Sequence, residues 1–480
     1  MEIHVVQQGE TLSFIAQQYD LTVEQLVEAN ELPDPDRIAT GQALIIPQEV
    51  VITVQPGDTL FAIAGQFGVP LAALVEANPQ IPDPDLILPG QRLRIPGIER
   101  ERYLIRPGDT LSAIAQARGI PLAGLIRMNP QITNPNLIYP GQRLWLPVPE
   151  GVRPIFTVNG YLAPSATAPN RIRQLARWLT SVSLFSFPVR ASGALGRPGF
   201  VSETVNAARE NGVLPLAVIT NVDGGTFDRD LAHAILSNPQ ARARAVAETR
   251  EVLDTYGFAG VNVDFENMPP EDRPLFNRFI EELAAGLRPA GYLVGLAAAP
   301  KAADRPNEPW VGTFDYATLG RIADFIVIMT YEWGWVGGPP MAVSPANLVR
   351  LVLDYAVSLI PRQKILQGIN LYGYDWVRDE SPETLARTVS PPQATQIAFD
   401  TGVPILFDPQ AESPWFRYTD AEGQERELWF EDPRSMLAKY QIAEALNLAG
   451  VSFWNLIISF PQNWQVLERF ARIRKGRLLP

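Results

Sequence analysis

The chain has 480 residues, more than one hydrophobic core usually serves, and its 46% hydrophobic and 19% charged content is that of a globular protein of two to four domains. Cysteine is absent, which excludes disulfide scaffolds, thiolate zinc sites and cysteine nucleophiles, and two isolated histidines, His4 and His233, exclude a multi-histidine metal centre and disfavour a Ser-His-Asp triad. A formal charge of −12, with 9 basic against 17 acidic side chains in the first 150 residues, opposes nucleic-acid binding, and neither a signal peptide nor a membrane span of about 18 apolar residues is visible.

The chain opens on an internal repeat. VVQQGETLSFIAQQY, TVQPGDTLFAIAGQF and LIRPGDTLSAIAQAR bring Gly9, Gly57 and Gly108 into register, 48 and 51 residues apart, and the same offsets carry Asn30 to Asn78 to Asn129. Each unit ends on Gly-Gln-x-Leu and an apolar run closed by proline: GQALIIP, GQRLRIP, GQRLWLP. Leu12, Ile15 and Ala16, repeated as Leu60, Ile63, Ala64 and Leu111, Ile114, Ala115, have helical spacing, as do Val23, Leu26 and Val27 in a second stretch. That second helix opens on the capping-box pair Thr22 and Gln25 or on Pro70 and Pro121, so each unit reads β-α-α-β.

These units resemble LysM domains, over residues 2–48, 50–97 and 101–148. The resemblance implies binding of N-acetylglucosamine-containing glycans between the first loop and the loop before the last strand. By position it implicates Thr11, Leu12, Asp58, Thr59, Leu60, Asp109, Thr110 and Leu111, with Ile38, Ile87 and Ile138 opposite. Helix capping would equally explain the Asp and Thr residues, and core packing the Leu and Ile residues. Three shallow sites on one chain fit avidity for a polymer.

Residues 147–154, with three prolines and a glycine, have linker composition. Beyond them, β-rich runs alternate with helical stretches: 155–160, 181–187, 214–221, 260–266, 292–300, 324–332, 364–373 and 450–456. Eight such runs predict an α/β fold, a TIM (β/α)8 barrel over 153–480. The stretch 374–449 is too long for one crossover and contains FRYTDAEGQERELWFED, two alternating runs around a turn. It is expected to be a small α+β insertion between the seventh and eighth strands, rimming the face where barrel sites lie.

The fourth run, Gly260-Val261-Asn262-Val263-Asp264-Phe265-Glu266, carries the chemistry. Alternation aims Asn262, Asp264 and Glu266 the same way, into the barrel and towards its mouth. Two neighbouring, partly buried carboxylates discourage each other's ionisation, so one stays protonated near neutrality and can act as a general acid.

This run resembles the fourth-strand signature of glycoside hydrolase family 18, Asp-Gly-x-Asp-x-Asp-x-Glu, with Ala259 and Asn262 replacing the first two acids and Asp264 and Glu266 retained. Met329-Thr330-Tyr331-Glu332, Leu371-Tyr372-Gly373 and Trp454 match other strand ends of the family. The resemblance implies that Glu266 protonates the glycosidic oxygen while Asp264 orients the substrate's own acetamido group as nucleophile. Tyr331 would bond that acetamide and Trp454 would floor the sugar, with retention of configuration. Asn262 can hydrogen-bond but cannot titrate, which predicts an altered pH profile. Glu332, Trp333, Tyr372, Asn221 and Asn159, at expected strand ends, are further candidates for the groove.

The repeats together with GVNVDFEN, MTYEWGW, WFEDPRSM and FPQNW resemble the spore cortex-lytic N-acetylglucosaminidases of endospore-forming bacteria. That implies a protein of the spore coat or cortex, made without a signal peptide, cleaving β-1,4 bonds of peptidoglycan, with association with the cell wall as the alternative location; a monomer is expected, and nothing in the sequence indicates a metal or organic cofactor. A chitinase or endo-N-acetylglucosaminidase with the same machinery, and a non-catalytic glycan-binding coat protein, are the alternative readings.

Overall fold

The computed structural model describes residues 1–151, 153–378 and 385–478. They form two compact units, Met1–Glu2 with Ile46–Val152, and Ile3–Ile45 with Arg153–Pro480.

Each repeat folds as two short helices beside a strand framework. In all three, the threonine ahead of the first helix is its N-cap: Thr11, Thr59 and Thr110 accept hydrogen bonds from the amides of Phe14, Ala62 and Ala113 at 3.1–3.2 Å. The repeated asparagine locks the second helix to the last strand. Asn30 Nδ2 donates to the Leu26 and Ile45 carbonyls, and its Oδ1 accepts from the Ile45 amide. Asn78 and Asn129 repeat that pattern on Leu74 and Arg94, and on Leu125 and Trp145. A domain of under 50 residues has a small core, so such pins carry much of its definition.

The second and third repeats are fused through one antiparallel sheet. Its central strand, Arg92–Leu104, pairs with Glu49–Thr53 on one side and Arg143–Pro149 on the other, ending one repeat and opening the next.

The large unit contains the barrel. Its strands are β1 (Ile155–Leu162), β2 (Ser181–Pro188), β3 (Leu214–Thr220), β4 (Gly260–Asp264), β5 (Leu293–Ala298), β6 (Phe325–Ile328), β7 (Ile365–Asn370) and β8 (Gly450–Trp454). All neighbours are parallel, and β8 pairs with β1 to close the ring. The α/β-barrel expected from the sequence is the observed fold. Outward residues such as Val261 and Val263 join the core between strands and helices. Inward, Leu216, Phe325, Val327 and Leu366 plug the end where the strands begin.

Between β7 and β8 lies a five-stranded antiparallel sheet, in the order Arg387–Val389, Gly373–Val377, Glu425–Trp429, Ser413–Thr419, Leu406–Asp408, with helix Pro391–Thr401 packed against it. The hairpin read from the sequence is its Ser413–Thr419 and Glu425–Trp429 pair, with Thr419 opposite Glu425. Helix Pro433–Ala445 returns the chain to β8; Asp432 caps it, and Lys439 on its buried face donates to Glu431 at 2.7 Å.

Candidate active site

At the C-terminal mouth of the barrel a cleft of about 570 Å³ opens over Asp264 and Glu266. Its walls include Tyr331 and Glu332 from beyond β6, Tyr372 from beyond β7, Trp454 at the end of β8, and Tyr374 and Thr388 from the insertion sheet. Trp454 stands edge-on to Tyr161 and Phe185, with ring centroids 5.3 and 5.1 Å away, so its indole is braced by aromatics of β1 and β2.

The inward row of β4 behaves as its alternation demands. Asn262 is fully buried, and its Nδ2 donates to the Tyr161 hydroxyl (2.8 Å) and Ser183 Oγ (3.3 Å). Asp264 is 4% exposed, and burial pushes its carboxyl up to about 7. Glu266, on the turn just past the strand, is raised well above the ordinary carboxylate range by burial, then by the neighbouring Asp264 and Glu332 charges. Asp264 Oδ1 and Asn262 Oδ1 are buried with no hydrogen-bond partner among the described residues. An unpaired acceptor in this setting favours a proton held on the carboxyl pair, the state a general acid needs.

Glu332 has a left-handed backbone, with φ of +69°, and faces the cleft. It accepts hydrogen bonds from the Tyr372 and Tyr374 hydroxyls. Burial raises its pKa, and the two phenols act the other way.

Three residues assigned to the groove from their strand-end positions lie elsewhere. Asn159 is fully buried one layer below, where its Nδ2 donates to Ser452 Oγ and its Oδ1 accepts from Ser181 and Ser183. Alternation gives the face of a strand but not the depth along it. Trp333 packs on the main core, because the chain reverses at Glu332 and the Trp333 amide then bonds the Val343 carbonyl. Asn221 is buried beneath Glu266, with Nδ2 donating to the Glu266 carbonyl and Oδ1 accepting from the Glu266 amide, both at 2.9 Å. It holds the Glu266 backbone from below.

Tyr161, Phe227, Trp310, Tyr374 and Thr388 also stand at or beside the cleft and are not among the residues expected from the sequence. Tyr161 follows Gly160 at the end of β1, and Tyr374 lies two residues beyond Tyr372, so both carried the strand-end signal. Phe227 sits on a small hairpin after β3, and Trp310 on the loop after β5, where no periodicity marks them.

In the repeats, Leu12, Leu60 and Leu111 are each 3% exposed and belong to the cores, and the threonines cap helices. Asp58 accepts from the Gln55 amide and pairs with Arg127 of the third repeat at 2.6 Å, and Asp109 accepts from the Arg106 amide and the Tyr103 hydroxyl. Ile38, Ile87 and Ile138 are half-buried.

Comparison with known proteins agrees with this geometry. The model of glycosyl hydrolases family 18 matches residues 213–457, and that of the LysM domain matches 4–47, 52–96 and 103–147. The cortical fragment-lytic enzyme of Bacillus subtilis is 36% identical over 482 residues, 99% of each chain. The crystal structure of the Bacillus cereus spore cortex-lytic enzyme SleL superposes with a TM-score of 0.75 at 32% identity, covering 99% of both chains. A chitinase from Chromobacterium violaceum matches 65% of this chain and 98% of its own, at 27% identity and a TM-score of 0.61. With its closed barrel, its Asp264–Glu266 pair at the mouth of the cleft and these matches, the chain belongs to glycosyl hydrolase family 18 and is a glycoside hydrolase preceded by three LysM domains.

Proposed function

We propose that this protein is a spore-associated N-acetylglucosaminidase that hydrolyses β-1,4 bonds of cortex peptidoglycan, with retention of configuration and with the substrate's acetamido group as nucleophile. The observation that carries this reading is the carboxyl pair at the cleft: desolvation and the neighbouring Asp264 and Glu332 carboxylates favour the protonated form of half-buried Glu266, while Asp264 lies buried deeper in the same row. Glu266 gives its proton to the glycosidic oxygen as the acetamide oxygen attacks the anomeric carbon; Asp264 draws the acetamide N–H and balances the charge that develops on it. Water then opens the cyclic intermediate, and its proton returns to Glu266. Trp454 supplies the apolar floor and Tyr331 a hydroxyl beside it.

The similarity to the cortical fragment-lytic enzyme of Bacillus subtilis supports cortex fragments as the polymer. The electrostatics of the cleft agree, because the working state has Asp264 ionised beside Glu332, and no Lys, Arg or His lines the cleft among the described residues. A carboxylate on the adjoining muramic sugar would be repelled there, whereas the uncharged lactam form would not.

Two substitutions of material test the mechanism. Glu266→Gln should abolish hydrolysis and leave glycan binding intact, and wild-type enzyme should leave N-deacetylated glycan uncut. Cleavage of the deacetylated polymer at the normal rate would remove the acetamide from the mechanism.

A further inference from the structure

The three repeats are alike in sequence but not in what surrounds the loop before their last strand. In the second and third repeats the residues flanking the half-buried isoleucine are large, apolar and exposed: Leu86 and Leu88 (62% and 55%), Leu137 and Tyr139 (52% and 54%). The equivalent residues of the first repeat are Arg37 and Ala39, and both are engaged by the insertion. Ala39 is 4% exposed within the insertion core, next to Ile405 and Phe416. Arg37 pairs with Asp400 and lies over the Phe399 ring, 5.0 Å from its centroid.

The contact continues along the backbone. The Ile405 amide donates to the Thr40 carbonyl at 2.8 Å, and Arg434 donates to the Gly41 carbonyl. Gln462, from the FPQNW segment after β8, donates to Asn30 Oδ1 at 2.8 Å and to the Ala43 carbonyl at 3.1 Å. Gly41 is pressed against the Ile405 backbone so closely that a Cβ would collide with it, whereas Gly90 and Gly141, at nearly the same φ, have nothing within 4 Å.

We infer that the first repeat is a docking module fixed to the catalytic unit through its Arg37–Gly41 loop, and that glycan capture belongs to the second and third repeats. The wall that a sugar would need in the first repeat is occupied by the insertion. In the other two that wall is free and offers apolar side chains suited to the C–H face of an N-acetylated sugar. The docked sheet also supplies Tyr374 and Thr388 to the cleft, so the clamp braces one wall of the active site. The glycan half of the inference rests on the function proposed above; the docking half does not.

The test uses the full chain and the glycines as internal controls. Gly41→Ala, Gly90→Ala and Gly141→Ala impose the same backbone strain, so docking predicts a lower Tm, and a raised KM on cleft substrates, for Gly41→Ala beyond what the other two show. Equal behaviour of the three overturns docking. In a Glu266→Gln background, retention on insoluble peptidoglycan should fall about tenfold or more for Leu88→Asp with Tyr139→Asp and stay within about twofold for Gly41→Ala. Undiminished retention by the Leu88→Asp, Tyr139→Asp protein, with its Tm unchanged, overturns the division of labour even if docking holds.

Discussion

Asn221 is a buried side chain whose partners include backbone groups of the residue proposed as the acid. Two of its three hydrogen bonds fix the amide and the carbonyl of Glu266, which stands beyond the end of β4, and the third goes to the Asp228 carbonyl. Asn221→Ala should therefore lower kcat by about 10- to 100-fold with little change in KM, since a proton donor displaced by a fraction of an ångström is poorly aligned. Steady-state kinetics decide this: a change confined to KM would make Asn221 part of the binding surface. The carboxyl pair makes two more predictions at this scale. If Asp264 must be ionised and Glu266 protonated, the acid limb of kcat/KM lies near pH 7, well above the ordinary carboxylate range, and Asn262→Asp shifts it by adding a titrating neighbour. An unshifted limb in Asn262→Asp would contradict the role given to that position. Asp264 also binds its proton more tightly in the folded protein than in the unfolded chain, so stability falls as pH rises from about 4 to about 7. Asp264→Asn should consequently raise Tm more at pH 8 than at pH 4, and equal gains would show that the carboxyl carries no burial penalty.

Among the elements, the barrel strands were legible because parallel strands buried on both faces read as continuous apolar runs. Their ends were not. The run 324–332 stops at Ile328, where the chain turns outward to Tyr331 and Glu332, and the run 364–373 stops at Asn370, after which Gly373–Val377 belongs to the insertion sheet. Residues that line the cleft sit at those departures from regularity, which is why periodicity points to the row Asn262, Asp264, Glu266 but misplaces Asn159 and Trp333. The WFEDPRSM text has a structural explanation: Glu431 and Lys439 form a fully enclosed ion pair, and Asp432 with Ser435 makes a capping box. Lys439→Met leaves a buried carboxylate without its cation and should cost about 3–5 kcal/mol, whereas Lys439→Met with Glu431→Leu should recover most of it. Thermal or urea unfolding measures both. A double variant as weak as the single one would mean that the packing of helix Pro433–Ala445, and not the charge pair, sets its stability.

In the whole molecule, the repeats and the barrel answer two different demands of an insoluble polymer. On the proposed function, shallow sites in series hold the glycan and one deep cleft cuts it. The repeat was evident from Gly57, Asn78 and the closing Gly-Gln; what the sequence did not disclose is that its first copy folds with the barrel, since contacts such as Ile405 on Thr40 join residues more than 350 positions apart. The central claim is that the cleft hydrolyses N-acetylglucosaminyl bonds of cortex glycan, and mass spectrometry of the products tests it most directly. Purified protein incubated with cortex-derived fragments, lysozyme-type peptidoglycan fragments and chitin oligomers should release products ending in reducing N-acetylglucosamine from the cortex fragments and leave chitin largely intact. Cleavage of chitin alone, or of no substrate, would contradict the account.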